Sequence, residues 1–183
     1  MAFEPIDHLE SWIVEQSQGW PVIERIENRI PSTAQRHYIE RYQLDGFATD
    51  ISRHRVGKEP TAELLGLIEV IGRSKDADGL MVYRGLSLNS PLAVNALHAE
   101  LSISSWSLYP SIALRAAFAR GNSGFCILRD RVSIGEPSLY IDEYEFEVLR
   151  LPQRWCVSNR TGGNVDFMKH LVYVDVVDLE RVQ

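Results

Sequence analysis

The stretch Asp142–Pro152, DEYEFEVLRLP, sets Glu143, Glu145 and Glu147 on alternate positions, with Tyr144, Phe146 and Val148 between and after them. Aromatic and β-branched residues at period two read as a β-strand, whose side chains alternate between faces. On that reading Tyr144, Phe146 and Val148 face a core. The three carboxylates then share the other face at roughly 6–7 Å spacing, where like charges repel. Two explanations fit: an exposed face charged against edge-to-edge pairing, or a site built to meet a cation.

The flanking segments define an α+β chain. Helical spacing recurs in the first ~75 residues. IDHLESWIVEQ carries Ile6, Leu9, Trp12 and Ile13 at helical intervals, and PTAELLGLIEVIGR places Leu64, Leu67, Ile68 and Ile71 on one stripe behind Pro60 and Thr61. Between them STAQRHYIERYQLDGFATDI opens with cap residues Ser32 and Thr33 and sets Tyr38 and Tyr42 one turn apart. From Gly79 the pattern changes. GLMVYRGLSL, ISSWSLYPS, GFCILRDRV, YEFEVLRLP, RWCVSNR and HLVYVDVVDL read as strands or extended segments. IALRAAFAR reads as a helix ending at Gly121, and SPLAVNALHAEL as a short helix capped by Ser90 with Pro91 in its first turn. Helices first and mostly antiparallel strands afterwards give an N-terminal helical lobe (1–75) and a β-rich core (79–183) within one domain spanning 1–183.

At 183 residues the chain suits one domain with a real core. Its net charge of −6 disfavours broad binding to nucleic acid or to a membrane surface. No run approaches the ~18 apolar residues of a membrane span. MAFEPIDHLE lacks the basic and apolar succession of a standard signal peptide, so a cytoplasmic setting is expected. Cys126 and Cys156 lie in apolar surroundings and read as free thiols. The five histidines form no metal-ligand spacing, and no metal is expected.

Three clusters carry chemistry: VYRG (82–85) with Arg84 and Gly85, SSWS (104–107) with Ser105, and EFEVLRLP with Glu145 and Glu147. In this order, behind a helical lobe, they resemble the arginine–serine–glutamate class of mono-ADP-ribosyltransferases, which includes clostridial binary toxins, vertebrate arginine-specific enzymes and phage transferases. The resemblance runs from Gln35 to the C-terminus and finds no counterpart for Met1–Ser32. It implies the two-sheet β core of that class and NAD as co-substrate. The implied reaction releases nicotinamide and passes ADP-ribose to an arginine on a target protein.

Within the resemblance Glu147 stabilises the positive charge that grows on the ribose. Glu145 orients the acceptor and takes its proton, and two carboxylates facing a guanidinium answer the repulsion in DEYEFEVLRLP. Arg84 binds the diphosphate, Gly85 lets the main chain approach the nicotinamide amide, and Ser105 holds Glu147. Phe118 falls beside the nicotinamide ring and Arg120 near a second phosphate contact. Trp106 stands where the class has a threonine. Tyr38 and Tyr42 resemble helical tyrosines that close over the nucleotide, with core packing as the alternative. Loop 134–144 corresponds to the segment touching the target, and Glu143 receives no role. The resemblance also leaves room for a phage or bacterial effector with a neutralising immunity or inhibitor protein. NAD hydrolysis, transfer to nucleic acid and an inactive binding module remain alternative readings.

Overall fold

Helix signals in the first third of the chain resolve into real caps. The Ser32 hydroxyl accepts from the Gln35 amide while the Gln35 side chain accepts from the Ser32 amide, a capping box, and Thr61 accepts from the Leu64 amide. The computed structural model describes residues 3–15, 30–121, 124–142 and 146–182. Among these residues the helices are α1 (Leu9–Glu15), α2 (Thr33–Gln43), α3 (Ala48–Arg55), α4 (Ala62–Arg73) and α5 (Pro110–Phe118). The strands are β1 (Met81–Ser87), β2 (Leu97–Glu100), β3 (Ser104–Ser107), β4 (Phe125–Arg131), β5 (Ser138–Asp142), β6 (Glu147–Arg150), β7 (Gln153–Phe167) and β8 (His170–Arg181). The α+β class expected from the sequence is the one observed.

The strands follow one hydrogen-bonded order, β2-β7-β8-β4-β1-β3-β6-β5. Every pairing is antiparallel except β4 with β8. The two expected sheets are therefore two halves of a single sheet. Strands β1 and β3 join them in register at Tyr83–Ser107. One cluster buries Val82, Leu128, Trp155 and Val177 from the first half against Trp106, Tyr140 and Val148 from the second, so the halves face each other across a shared core. The outer face of the first half is covered by Ile13 of α1 and by Ala113, Leu114 and Ala117 of α5. Phe47 just ahead of α3, Ile51 of α3 and Leu64, Leu67 and Ile71 of α4 cover the outer face of the second. The N-terminal helices thus divide, with α1 on one flank and α2–α4 on the other.

Four local readings change. The expected helix over Ser90–Leu101 is absent. Asn95 adopts φ +68°, its amide donates to the Val157 carbonyl at 2.8 Å, and Leu97–Glu100 pairs with β7, so tertiary pairing overrides helical spacing. The single helical stretch around Tyr38–Asp50 breaks at Asp45, φ +57°. The strand read from Tyr144 begins only at Glu147, because Phe146 sits at φ +48° and ends the alternation. Its ring meets Tyr109 edge-on at 4.7 Å. Glu143, Tyr144 and Glu145 lie outside the described residues. Finally, β7 runs on to Phe167 and turns through Met168 and Lys169, both at positive φ, a two-residue hairpin that no Asn-Gly pair announced. Both cysteines are free, and burial pushes the Cys126 thiol up to about 12.

Strand β1 lies so close under α5 that a Cβ added at Gly85 would come within 1.6 Å of the Ala113 carbonyl oxygen. Because that neighbour is backbone, the helix must move. Gly85→Ala should destabilise the chain by about 3 kcal/mol, read as a lowered urea midpoint; a midpoint equal to wild type would contradict this packing.

Candidate active site

Three strands deliver the candidate residues to one narrow cleft of about 50 Å³, lined by Arg84 and Gly85 of β1, Ser105 of β3, Glu147 of β6 and Arg120 just beyond α5, with Ile112 and Ala116 of α5 as its apolar wall. Alternation explains the placement. Ser105 and Ser107 share one face of β3, and Glu147 stands opposite Ser107 in the β3–β6 register. Trp106, between the serines, points the other way into the core. There its ring lies 5.6 Å from Trp155 and its Nε1 donates to Ser104 Oγ at 2.9 Å. The large residue at the usual threonine position is therefore absorbed by the core.

Glu147 also lines a hollow of about 450 Å³ bounded by Tyr42, Asp45, Phe47, Ser52 and Arg55 of α2, α3 and the turn between them. That volume falls within the ~300–1,000 Å³ usual for small-molecule sites. The carboxylate sits where cleft and hollow meet. The Tyr42 hydroxyl donates to Glu147 Oε1 at 3.3 Å, which ties α2 to the strand carrying the glutamate. Burial first, and the Glu147 charge second, push Tyr42 well above the ordinary phenol value. It remains a protonated donor at neutral pH. Of the two helical tyrosines, Tyr38 packs beside Phe47 in the core and closely against Gly66, while Tyr42 reaches the site.

Arg84 is deeply buried and held on two sides. Nε and Nη2 donate to Glu100 of β2 at 2.7 and 3.4 Å, and Nη1 donates to the Ser105 carbonyl at 2.7 Å. Burial pulls Arg84 below the ordinary guanidinium value, Glu100 opposes this, and Arg120 and Arg55 add like-charge repulsion. For Glu100 burial alone would raise the carboxyl, but the contacts from His98 and Arg84 outweigh it and leave its pKa lowered. Arg120 donates to the Gly85 carbonyl at 3.4 Å.

Sequence reasoning missed Glu100, His98 and Arg55. The first two lay in the segment read as a helix, and Arg55 looked like an ordinary basic helix end. Phe118 is not among the residues lining the cleft. Ala116 faces it, and two further residues along a helix turn the side chain by about 200°. Phe118 instead meets Phe125, Phe167 and His170 at 5.4–6.0 Å. Glu145 lies outside the described residues.

By sequence the chain matches no protein-family model and no curated protein. By structure it is similar to ADP-ribosyltransferase toxins, and its fold is the ADP-ribosyltransferase fold. The enzymatic component C2-I of the Clostridium botulinum C2-toxin superposes with a TM-score of 0.69 at 16% identity, over 92% of this chain and 48% of that one. This chain thus spans about half the length of C2-I. C3stau2 from S. aureus, solved with NAD, gives 0.65 at 15% identity over 91% and 98%. The ADP-ribosyltransferase Vis, solved with agmatine, gives 0.60 at 14% over 94% and 90%. Among the described residues no helix is long and apolar enough to cross a membrane.

Glu100 contributes a pH dependence to stability. Its folded-state pKa lies below the ordinary 4.5, so the ionised pair stabilises the fold fully above that value and the contribution is lost as pH falls below it, through the folded value. Urea unfolding of wild type and Glu100→Gln should give a stability difference that shrinks below pH 4.5; profiles that stay parallel down to pH 3 would exclude this group as the source.

Proposed function

We propose that the chain is a NAD-dependent mono-ADP-ribosyltransferase that modifies arginine on a protein and releases nicotinamide. One observation carries the reading: Arg84, Ser105 and Glu147, from three strands separated in sequence, converge on one cleft. The fold supports the general reaction, and the residues supply the parts it needs.

In the proposed reaction the bond between ribose C1′ and the nicotinamide nitrogen breaks, and its electron pair leaves with nicotinamide. Positive charge develops on the ribose next to Glu147, which accepts from the Tyr42 hydroxyl. A guanidinium nitrogen of the acceptor then bonds to C1′ and gives its proton to Glu145, a role that rests on the resemblance alone. The fork of Arg84 and the more exposed Arg120 suit diphosphate oxygens, with Gly85 and Ser105 beside them. The position of Phe118 lends no support to a stack on the nicotinamide ring, and Tyr42 is the nearer aromatic side chain to Glu147. The named toxins among the solved neighbours favour a bacterial effector as the setting.

The test uses purified chain, NAD and agmatine as a small guanidino acceptor. Glu147→Gln should lower nicotinamide release by about a hundred- to a thousandfold while the circular dichroism spectrum is kept; undiminished release would refute the assignment of Glu147. Glu145→Gln should keep NAD hydrolysis and lose agmatine modification, because only acceptor activation is removed. Mass spectrometry of lysate labelled with a tagged NAD should place the label on arginine, and label on nucleic acid would overturn the acceptor class.

A further inference from the structure

The residue best placed to govern the site without lining its cleft is Glu100. It lies on β2, the edge strand four places from β1 in the sheet order, yet its carboxylate reaches Arg84. Both side chains are more than nine-tenths buried, at 7% and 8% exposure. The contact exists because the sheet folds over itself: β2 leads through Leu101–Ile103 directly into β3, carrying the chain from one half to the other. His98, two residues earlier on the same face of β2, brings Nε2 to 3.4 Å from Glu100 Oε1 and stacks on Trp155 at 6.0 Å. Arg84 and His98 thus both lie against the acid.

We propose that Glu100 is a positioning residue of the nucleotide site, acting through Arg84. A guanidinium has five N–H groups in a rigid fork. Glu100 takes one from Nε and one from Nη2, and the Ser105 carbonyl takes one from Nη1. One N–H on each terminal nitrogen is left for a ligand, and their direction is fixed by the bidentate grip on the other edge. The grip also compensates the charge of Arg84. It thereby acts as an oriented pair of donors, and net positive charge for an anionic ligand comes from Arg120 and Arg55.

The inference rests on the nucleotide-site reading given above, and its test has two readouts that separate the two claims. In Glu100→Gln the side chain keeps its shape, but its amide NH2 opposes Arg84 Nη2. Because a misdirected fork loses contacts made equally in the ground and transition states, the KM for NAD in nicotinamide release should rise about tenfold with kcat within about twofold. Glu100→Asp, which keeps the charge, should recover part of the loss. The second readout needs no turnover. The Arg84 Nε–H resonance, assigned by its loss in Arg84→Lys, should be slow to exchange in wild type and fast in Glu100→Gln. A folded Glu100→Gln with unchanged KM and an equally protected Arg84 N–H would overturn the proposal. A wild-type chain that releases no nicotinamide would count against the function instead, and the exchange measurement would still decide the role of Glu100.

Discussion

A guanidinium buried to the depth of Arg84 is costly unless a carboxylate and a carbonyl meet its donors, and that requirement shapes the molecule around it. Glu100 supplies the carboxylate from one sheet edge, and Ser105 supplies the carbonyl from β3. Removing one partner of a buried pair costs about 3–5 kcal/mol, far more than the pair gains over an apolar replacement. The pair is thus a poor source of net stability and a strong constraint on geometry. It couples β2, β1 and β3 where backbone pairing between β1 and β3 is confined to Tyr83–Ser107.

The same economy of burial sets the electrostatics of the cleft. Glu147 stays half-buried at the junction of cleft and hollow, so its charge is neither fully solvated nor abandoned in the core. Tyr42 donates to it without being able to give up its proton at neutral pH. On the rim, Arg120 and Arg55 are exposed and repel Arg84.

How much of this was legible in the sequence depended on whether the information was local. Caps at Ser32 and Thr61, the stripe of α4 and the strands around Arg84 and Trp106 declare themselves within a dozen residues. The three clusters of the cleft were found because their order along the chain resembles a known class. What failed was non-local. SPLAVNALHAEL has helical spacing, and only its pairing with β7 turns Leu97–Glu100 into a strand. Misreading that segment hid Glu100 and His98, since an acid on a short surface helix looks solvated. Phe146 broke an alternation that its residue type favours, because the chain turns there at φ +48° just before β6 begins at Glu147. Phe118 packs against Phe125, Phe167 and His170 instead of lining the cleft, a helix register that sequence order alone does not fix.

The strand carrying Glu147 owes its own rigidity to a second buried arginine. Arg150, three residues on and fully buried, donates to Asp130 at 2.7 Å and to Glu136 at 2.6 Å, and its guanidinium lies over Trp106 at 4.7 Å. Trp155 closes the set by donating to the same Asp130 oxygen at 3.0 Å. Trp106 and Arg150 belong to neighbouring strands of the β3–β6 pair that holds Ser105 and Glu147. The tryptophan that departs from the threonine pattern of the class thus has a physical reason. It lids a buried cation on the core side of the strand whose other side faces the site, and a threonine there would leave the Arg150 guanidinium without that aromatic face. Ser105 and Glu147 can keep their places on the cleft face because their strand neighbours are fixed from behind.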